Sequence, residues 1–269
     1  MNIFKIFGSK QSVPPPRILK GPTETEELIQ DISSLHSPTK LLALSKFSRQ
    51  LTLNNIPTEV RDLIPVLMKI FSENPVNQSA CGYAAKSLGQ IKKEVKETIP
   101  TVLPALVSVI EDKNKFHSYV RGDALVAVGY FGKEAKDVIP LIISSLGEQD
   151  LFVAISAGTA LAEISKEARE EVRESLINNL NNSNDQIRGF AIEMFGIIFK
   201  EEAVDAMEIL INGLNDKSNL VRRGCALALG YIGKEAKSAI PNLVKLLADK
   251  SNNVAKTATW ALTEIAKKL

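Results

Sequence analysis

One apolar pattern returns along most of this 269-residue chain at a nearly constant interval. Val254, Ala258, Ala261, Leu262 and Ile265 stand at offsets 0, 4, 7, 8 and 11, which fall on one face of a 3.6-residue helix. The same offsets give Val221, Cys225, Ala228, Leu229 and Ile232, then Ile187, Ala191, Met194, Phe195 and Ile198. They also give Val153, Ala157, Ala160, Leu161 and Ile164, Val120, Ala124, Ala127, Val128 and Phe131, and Ala80, Ala84, Ser87, Leu88 and Ile91. The last members are separated by 40, 33, 34, 34 and 33 residues. A fixed period in that range indicates stacked supersecondary units, each unable to bury its apolar face alone. Small residues at offsets 4 and 7 let neighbouring helices approach closely, while the large ones fill the layer between units.

Each unit has a second, preceding helix. Ile240-Pro241 opens one, because a proline in the first turn leaves no helical bond unmade. Leu243, Val244, Leu246 and Leu247 then form its apolar stripe, and polar Asp249–Asn253 make the turn. Ile-Pro recurs at Ile64, Ile99 and Ile139, and Gly-Lys-Glu-Ala-Lys stands at 132–136 and 233–237 as a linker. Thr23–Glu26 resembles a capping box and opens a worn first unit, continued by Ser37-Pro38, Leu41, Leu42, Leu44 and Phe47. Residues 1–22, with Pro14-Pro15-Pro16 in the stretch before the repeats, read as a flexible, frayed tail and linker, the alternative being that Phe4 and Phe7 dock on the first repeat, a membrane or a partner. The expected organisation is all-α, about seven helical hairpins, with repeats at 23–61, 62–97, 98–137, 138–170, 171–204, 205–238 and 239–269.

Ile-Pro before the first helix, Asp in the turn, Val-Arg opening the second, an Ala-rich second helix ending Leu-Gly-x-Ile-Gly, and the Lys-Glu-Ala-Lys linker together resemble the HEAT-repeat family. More narrowly they resemble the short bacterial and archaeal type of phycobilisome lyases. The fullest copy runs from Asp216 through Val221-Arg222 and Leu229-Gly230 to Ala236. The resemblance implies a right-handed α-α superhelix, an armadillo-like solenoid, whose second (B) helices line a concave face. The arginine of Val-Arg stands at Arg121, Arg188 and Arg222 but is replaced by Cys81, Ala154 and Ala255, so an Asp–Arg ladder would be interrupted.

Catalytic constellations are not evident. The two histidines, His36 and His117, lie near turns and lack paired His-Glu motifs, and no GxGxxG, Walker A or GxSxG pattern occurs. Gly89, Gly129, Gly196 and Gly230 share one repeat position and read as packing glycines. Cys81 and Cys225 match no metal spacing and sit among small apolar residues, as buried reduced thiols would. No cofactor or metal is expected. The balance of 33 basic against 31 acidic residues argues against nucleic acid as partner, and with it a HEAT-like DNA-repair role. No run approaches the length of a membrane span and the N-terminus lacks a signal-peptide core, which places the chain in the cytoplasm. The resemblance leaves one catalytic alternative, a bilin lyase or lyase-like chaperone subunit.

What varies between repeats is the place to look for function. Offsets 3, 6 and 10 of the B helices carry Tyr83, Tyr130, Phe190, Tyr231 and Trp260, in a chain only 6% aromatic. Aromatics supply large contact area at modest entropy cost, and a groove gripping a helix or extended peptide is the reading, with padding between adjacent helices as the alternative. Arg121, Arg188 and Arg222 form a second candidate stripe for acidic partner segments, or pair with turn acids such as Asp112 and Asp216. Lys113–His117 lies in a turn three residues longer than its counterparts. The function expected is a non-catalytic scaffold or adaptor that binds a protein or peptide along the B helices.

Overall fold

The structure is a computed structural model, and it describes residues 30–32, 43–48, 60–73, 78–91 and 96–267. The tail, His36, Ser37-Pro38, Leu41, Leu42 and most of the first repeat lie outside them; within that repeat Leu44 and Phe47 are buried. No strand occurs among the described residues. Residues 30–32 and 43–48 are helical, and from residue 60 onward the described residues form twelve α-helices: α1 (Val60–Glu73), α2 (Gln78–Ile91), α3 (Ile99–Glu111), α4 (Ser118–Gly129), α5 (Ile139–Leu146), α6 (Leu151–Ile164), α7 (Arg169–Ile177), α8 (Asp185–Phe199), α9 (Met207–Gly213), α10 (Asn219–Ile232), α11 (Ile240–Lys245) and α12 (Asn252–Lys267). They pack as hairpins, odd against even, with the even-numbered helices in the B position. Two compact units divide at Ala135/Lys136.

In the first unit α2 and α4 pack side by side, each backed by its own hairpin partner. In the second, α8 packs closely on α10 and α10 on α12. The offset-7 and offset-9 residues explain this intimacy. An ideal Cβ on Gly89 would fall 2.6 Å from the Ala127 Cα, and one on Gly230 would fall 3.0 Å from the Ala261 Cα. Gly196 and Ala228 meet in the same way. Each contact sets an offset-9 glycine of one B helix against an offset-7 alanine of the next, so backbones touch with no side chain between them. The seam between α6 and α8 breaks the rule: Ala162 replaces the glycine and Met194 the alanine. Met194 extends its sulfur to the backbone of Gly158, and α6 and α8 make only a sparse contact.

The linkers and turns have equally local causes. Gly132–Val138, Lys200–Ala206 and Gly233–Ala239 wind as 3-10 turns that expose their lysines, Glu201, Glu202 and Glu235, leave Glu134 half-buried, and bury Ala135, Ala203 and Ala236 as plugs. Ile-Pro opens α3, α5 and α11 in their first turn, whereas Pro65 lies inside α1, which begins at Val60. Side chains of His117, Asp150 and Asn184 cap α4, α6 and α8. The long turn before α4 is ordered around Asp112, whose carboxylate accepts from the amides of Asn114 and Lys115, and around buried Phe116.

The periodic positions are buried throughout α4, α6 and α10. Two departures stand out. In α8 the deep terminal position belongs to Phe199, 1% exposed, and not to half-exposed Ile198, because this helix runs one residue further before its reversal. In α11 and the turn that ends it Leu243 and Leu246, three residues apart, are buried while Val244 and Leu247 are exposed, and the winding tightens into a 3-10 turn at Leu246–Ala248.

Two outcomes follow from these junctions. Gly132 and Gly233 take positive φ at the ends of their B helices, and Lys200 holds φ 49° and ψ −121° after α8, a region that penalises a side chain. Lys200→Gly is expected to raise stability by about 1 kcal/mol, read as a higher denaturation midpoint. At the sparse seam, Met194→Ala is expected to destabilise, and adding Ala162→Gly to recover at least about 0.5 kcal/mol by letting α6 and α8 close. A denaturation cycle over the four proteins measures that coupling, and strict additivity would contradict it.

Candidate functional site

The aromatic set divides by burial. Tyr83 is 36% exposed, Tyr130, Tyr231 and Trp260 are half-buried, and Phe190 is buried at 8%. Phe190 sinks because its neighbour Gly189 brings α8 against α10: a Cβ on Gly224 would fall 2.7 Å from the Gly189 carbonyl oxygen. Tyr231 and Trp260 meet edge to face with ring centroids 5.2 Å apart, and the Trp260 ring lies across Gly230. This pair both covers the α10–α12 seam and keeps ring surface open to solvent.

The arginines are engaged within the chain. Arg222 makes a bidentate pair with Asp249 of the next repeat, at 2.7 and 2.8 Å, and donates to the carbonyls of Asp216 and Lys217. Arg188 repeats the geometry one unit earlier, reaching Asp216 at 3.2 Å and the carbonyls of Asn182 and Ser183. Asp216 and Asp249 each also accept the amide two residues on, at Ser218 and Ser251, so one carboxylate fixes its own turn and ties it to the preceding B helix. Arg121, 4% exposed, donates to the Ile110 carbonyl at 2.8 Å. The rung that would join Ala154 is missing on both sides. Asn182 takes the place of the aspartate and accepts the Asn184 amide in the same manner. A neutral turn residue thus stands where no cation is offered.

Two features were not singled out as sites from the sequence. Glu193 on α8, 2% exposed, is paired at 2.5 Å with Arg223 of α10. Burial raises its carboxyl above the usual range, and Arg223 opposes that shift. Its only sequence signal is the second arginine after Val221, which needs the helix pairing to acquire meaning. Asp123 of α4 is the other. Its carboxylate lies on the backbone of Gly82 in α2, with Cγ 3.4 Å from an ideal Cβ there. Burial pushes it up to about 6, opposed by Lys86.

Elsewhere the second unit holds a cavity of about 560 Å³ between successive hairpins, walled in part by Ile192, Glu208, Asn212 and the Arg188–Asp216 pair. Arg169 and Arg173 lie over the Phe199 ring and pair with Glu202 and Asp205. His117 caps α4 and stacks on Tyr119, which is 62% exposed. Both cysteines are buried and form no disulfide, and the Cys81 thiol donates to the Ile70 carbonyl oxygen. Among the described residues no cluster of three potential metal ligands occurs, and no helix is long and apolar enough to cross a membrane.

The Arg222–Asp249 pair has a signed pH dependence. Its hydrogen bond from Arg222 holds the Asp249 carboxyl below its ordinary value of 3.8. The pair's contribution is therefore complete above 3.8 and is lost as pH falls through the lowered native value. Arg222→Ala is expected to cost about 1–3 kcal/mol at neutral pH, and the gap to the unmutated chain should narrow in acid. Denaturation midpoints against pH check both statements.

The geometry of stacked hairpins has counterparts among known proteins. Residues 173–263 match the family described as HEAT repeats. No curated protein matches the sequence. Among solved structures, the chain is similar to Kap121p bound to Pho4p, with a TM-score of 0.67 and 14% identity. It is similar to the same degree to the karyopherin Kap121p bound to the extreme C-terminus of the protein phosphatase Cdc14p. In both, the likeness covers 89% of this chain and 29% of that chain, so it spans less than a third of those proteins. At that identity the likeness is one of fold. Direct match and shared architecture agree: residues 173–263 carry HEAT repeats, and the described chain has the fold of a HEAT-type helical solenoid.

Proposed function

We propose that this chain is a non-catalytic scaffold or adaptor that holds a partner protein or peptide along its B helices. The observation that carries the reading is the ring surface left open on those helices, at Tyr83 and at the Tyr231–Trp260 pair, where the core has no need of it. A ring that is packed on one side and wet on the other is pre-ordered for contact, which lowers the entropy cost of binding. Within the first unit Tyr130 is half-buried on the same B-helix stripe as Tyr83, and in the second Phe190 is buried at 8%. Arg121, Arg188 and Arg222 serve it indirectly, holding the B helices in register through the turns. Two buried cysteines without a disulfide suit a reducing compartment, and the cytoplasm is the proposed location.

The test is affinity capture from native extract, scored for the unmutated chain and for Tyr83→Ala, Tyr130→Ala and Tyr231→Ala. Each substitution should weaken capture of the recovered partner by at least about 1–2 kcal/mol while helicity is retained. Capture unchanged alongside lowered thermal stability would show these rings to be padding.

A further inference from the structure

The Asp123 carboxylate is an unusual thing to find on a binding face. It is half-buried, yet it makes no hydrogen bond or ion pair among the described residues. A carboxylate taken partly out of water without a partner is costly, and such groups are retained where something completes them. Its position is built on both sides. Gly82 of α2 has no side chain, and the carboxylate occupies the space a Cβ would need. Tyr83 follows on α2, 36% exposed, and Val126 on α4 and Tyr130 at its end are half-buried. Lys86, one turn beyond Gly82, is the cation whose field reaches the carboxylate, but it stops short of an ion pair.

We propose that Asp123 is a cation-accepting subsite in the α2–α4 face, which receives a lysine or arginine side chain of a bound peptide between the rings of Tyr83 and Tyr130. The inference rests on the scaffold reading above and adds the partner's chemistry: a basic residue beside an aliphatic or aromatic one. The incoming cation supplies the charge the carboxylate lacks, and the tyrosine rings receive its methylene stem and its apolar neighbour. An acidic residue at that place in the peptide is repelled, so the subsite sets specificity as well as affinity. Burial of the carboxylate makes this stronger than a surface pair, because exclusion of water raises the attraction.

The experiment is selection from a random dodecapeptide phage library on the immobilised full-length chain, run beside Asp123→Asn, Asp123→Lys and Lys86→Met. Asp123→Asn keeps the side-chain shape and removes an uncompensated charge, and a thermal melt confirms that each variant is folded. The unmutated chain should enrich peptides with a fixed Lys or Arg next to an apolar residue. Asp123→Asn should lose that preference and bind the selected peptide at least about tenfold more weakly. Asp123→Lys should favour Asp or Glu at the same place, and Lys86→Met, freed of the competing cation, should bind the basic peptide more tightly. Peptides enriched without a fixed cation, or a preference that survives in Asp123→Asn, would overturn the subsite and leave the scaffold reading standing. Enrichment of no peptide by any of the proteins would bring down the groove reading and the subsite together.

Discussion

Close backbone approach between successive B helices is the constraint on which the rest depends. Where glycine faces alanine, as at Gly89–Ala127, Gly196–Ala228 and Gly230–Ala261, two helices meet with nothing between their main chains. The large side chains at the other offsets then interlock above and below that contact. Every later feature inherits the spacing. Trp260 can lie across Gly230 only because no Cβ is there, Asp123 can rest on Gly82 for the same reason, and Phe190 is drawn into the α8–α10 seam by Gly189 and Gly224. At α6–α8, where Ala162 and Met194 stand instead, the contact thins. The stack is therefore uneven in stiffness by composition, not by accident of loops.

Much of this was legible in the chain itself. The 0, 4, 7, 8, 11 pattern names the buried residues of α4, α6 and α10 correctly, since it reports helix period and burial together. It slipped at Ile198, where a lysine in place of a glycine hides a reversal that comes one residue later. It overcounted in α11, where a 3-10 turn rotates Leu247 outward. Ile187 and Leu262, also on the pattern, are only half-buried. Periodicity assumes ideal winding, and the slips at Ile198 and Leu247 lie where the winding changes.

The candidate site was less legible, because side-chain fate depends on the rotation of neighbouring helices. Tyr83, Phe190 and Trp260 share one stripe in the sequence, yet one is 36% exposed, one is buried and one lies on a neighbour's glycine. The pairing of Glu193 with Arg223 links residues 30 apart and has no periodic signature. The arginine column was visible, and so was its interruption, but its partners required the fold: Arg188 and Arg222 engage the aspartate of the following turn.

Those rungs have a consequence for how such a chain can change. Each ties one repeat to its successor by matched charge, and the vacancy at Ala154 is matched by a neutral Asn182. The repeats are consequently not interchangeable beads. Excising the hairpin of α7 and α8 would set Ala154 beside Asp216 and leave that carboxylate without its guanidinium. Transposing two neighbours would create a bare cation and a bare acid at once. The order of the hairpins is written in these pairings, much as a keyed connector admits one sequence of modules. Gain or loss of the hairpin of α9 and α10, by contrast, would set Arg188 against Asp249 and keep a matched rung, so recombination is tolerated between the charged junctions and resisted across the uncharged one.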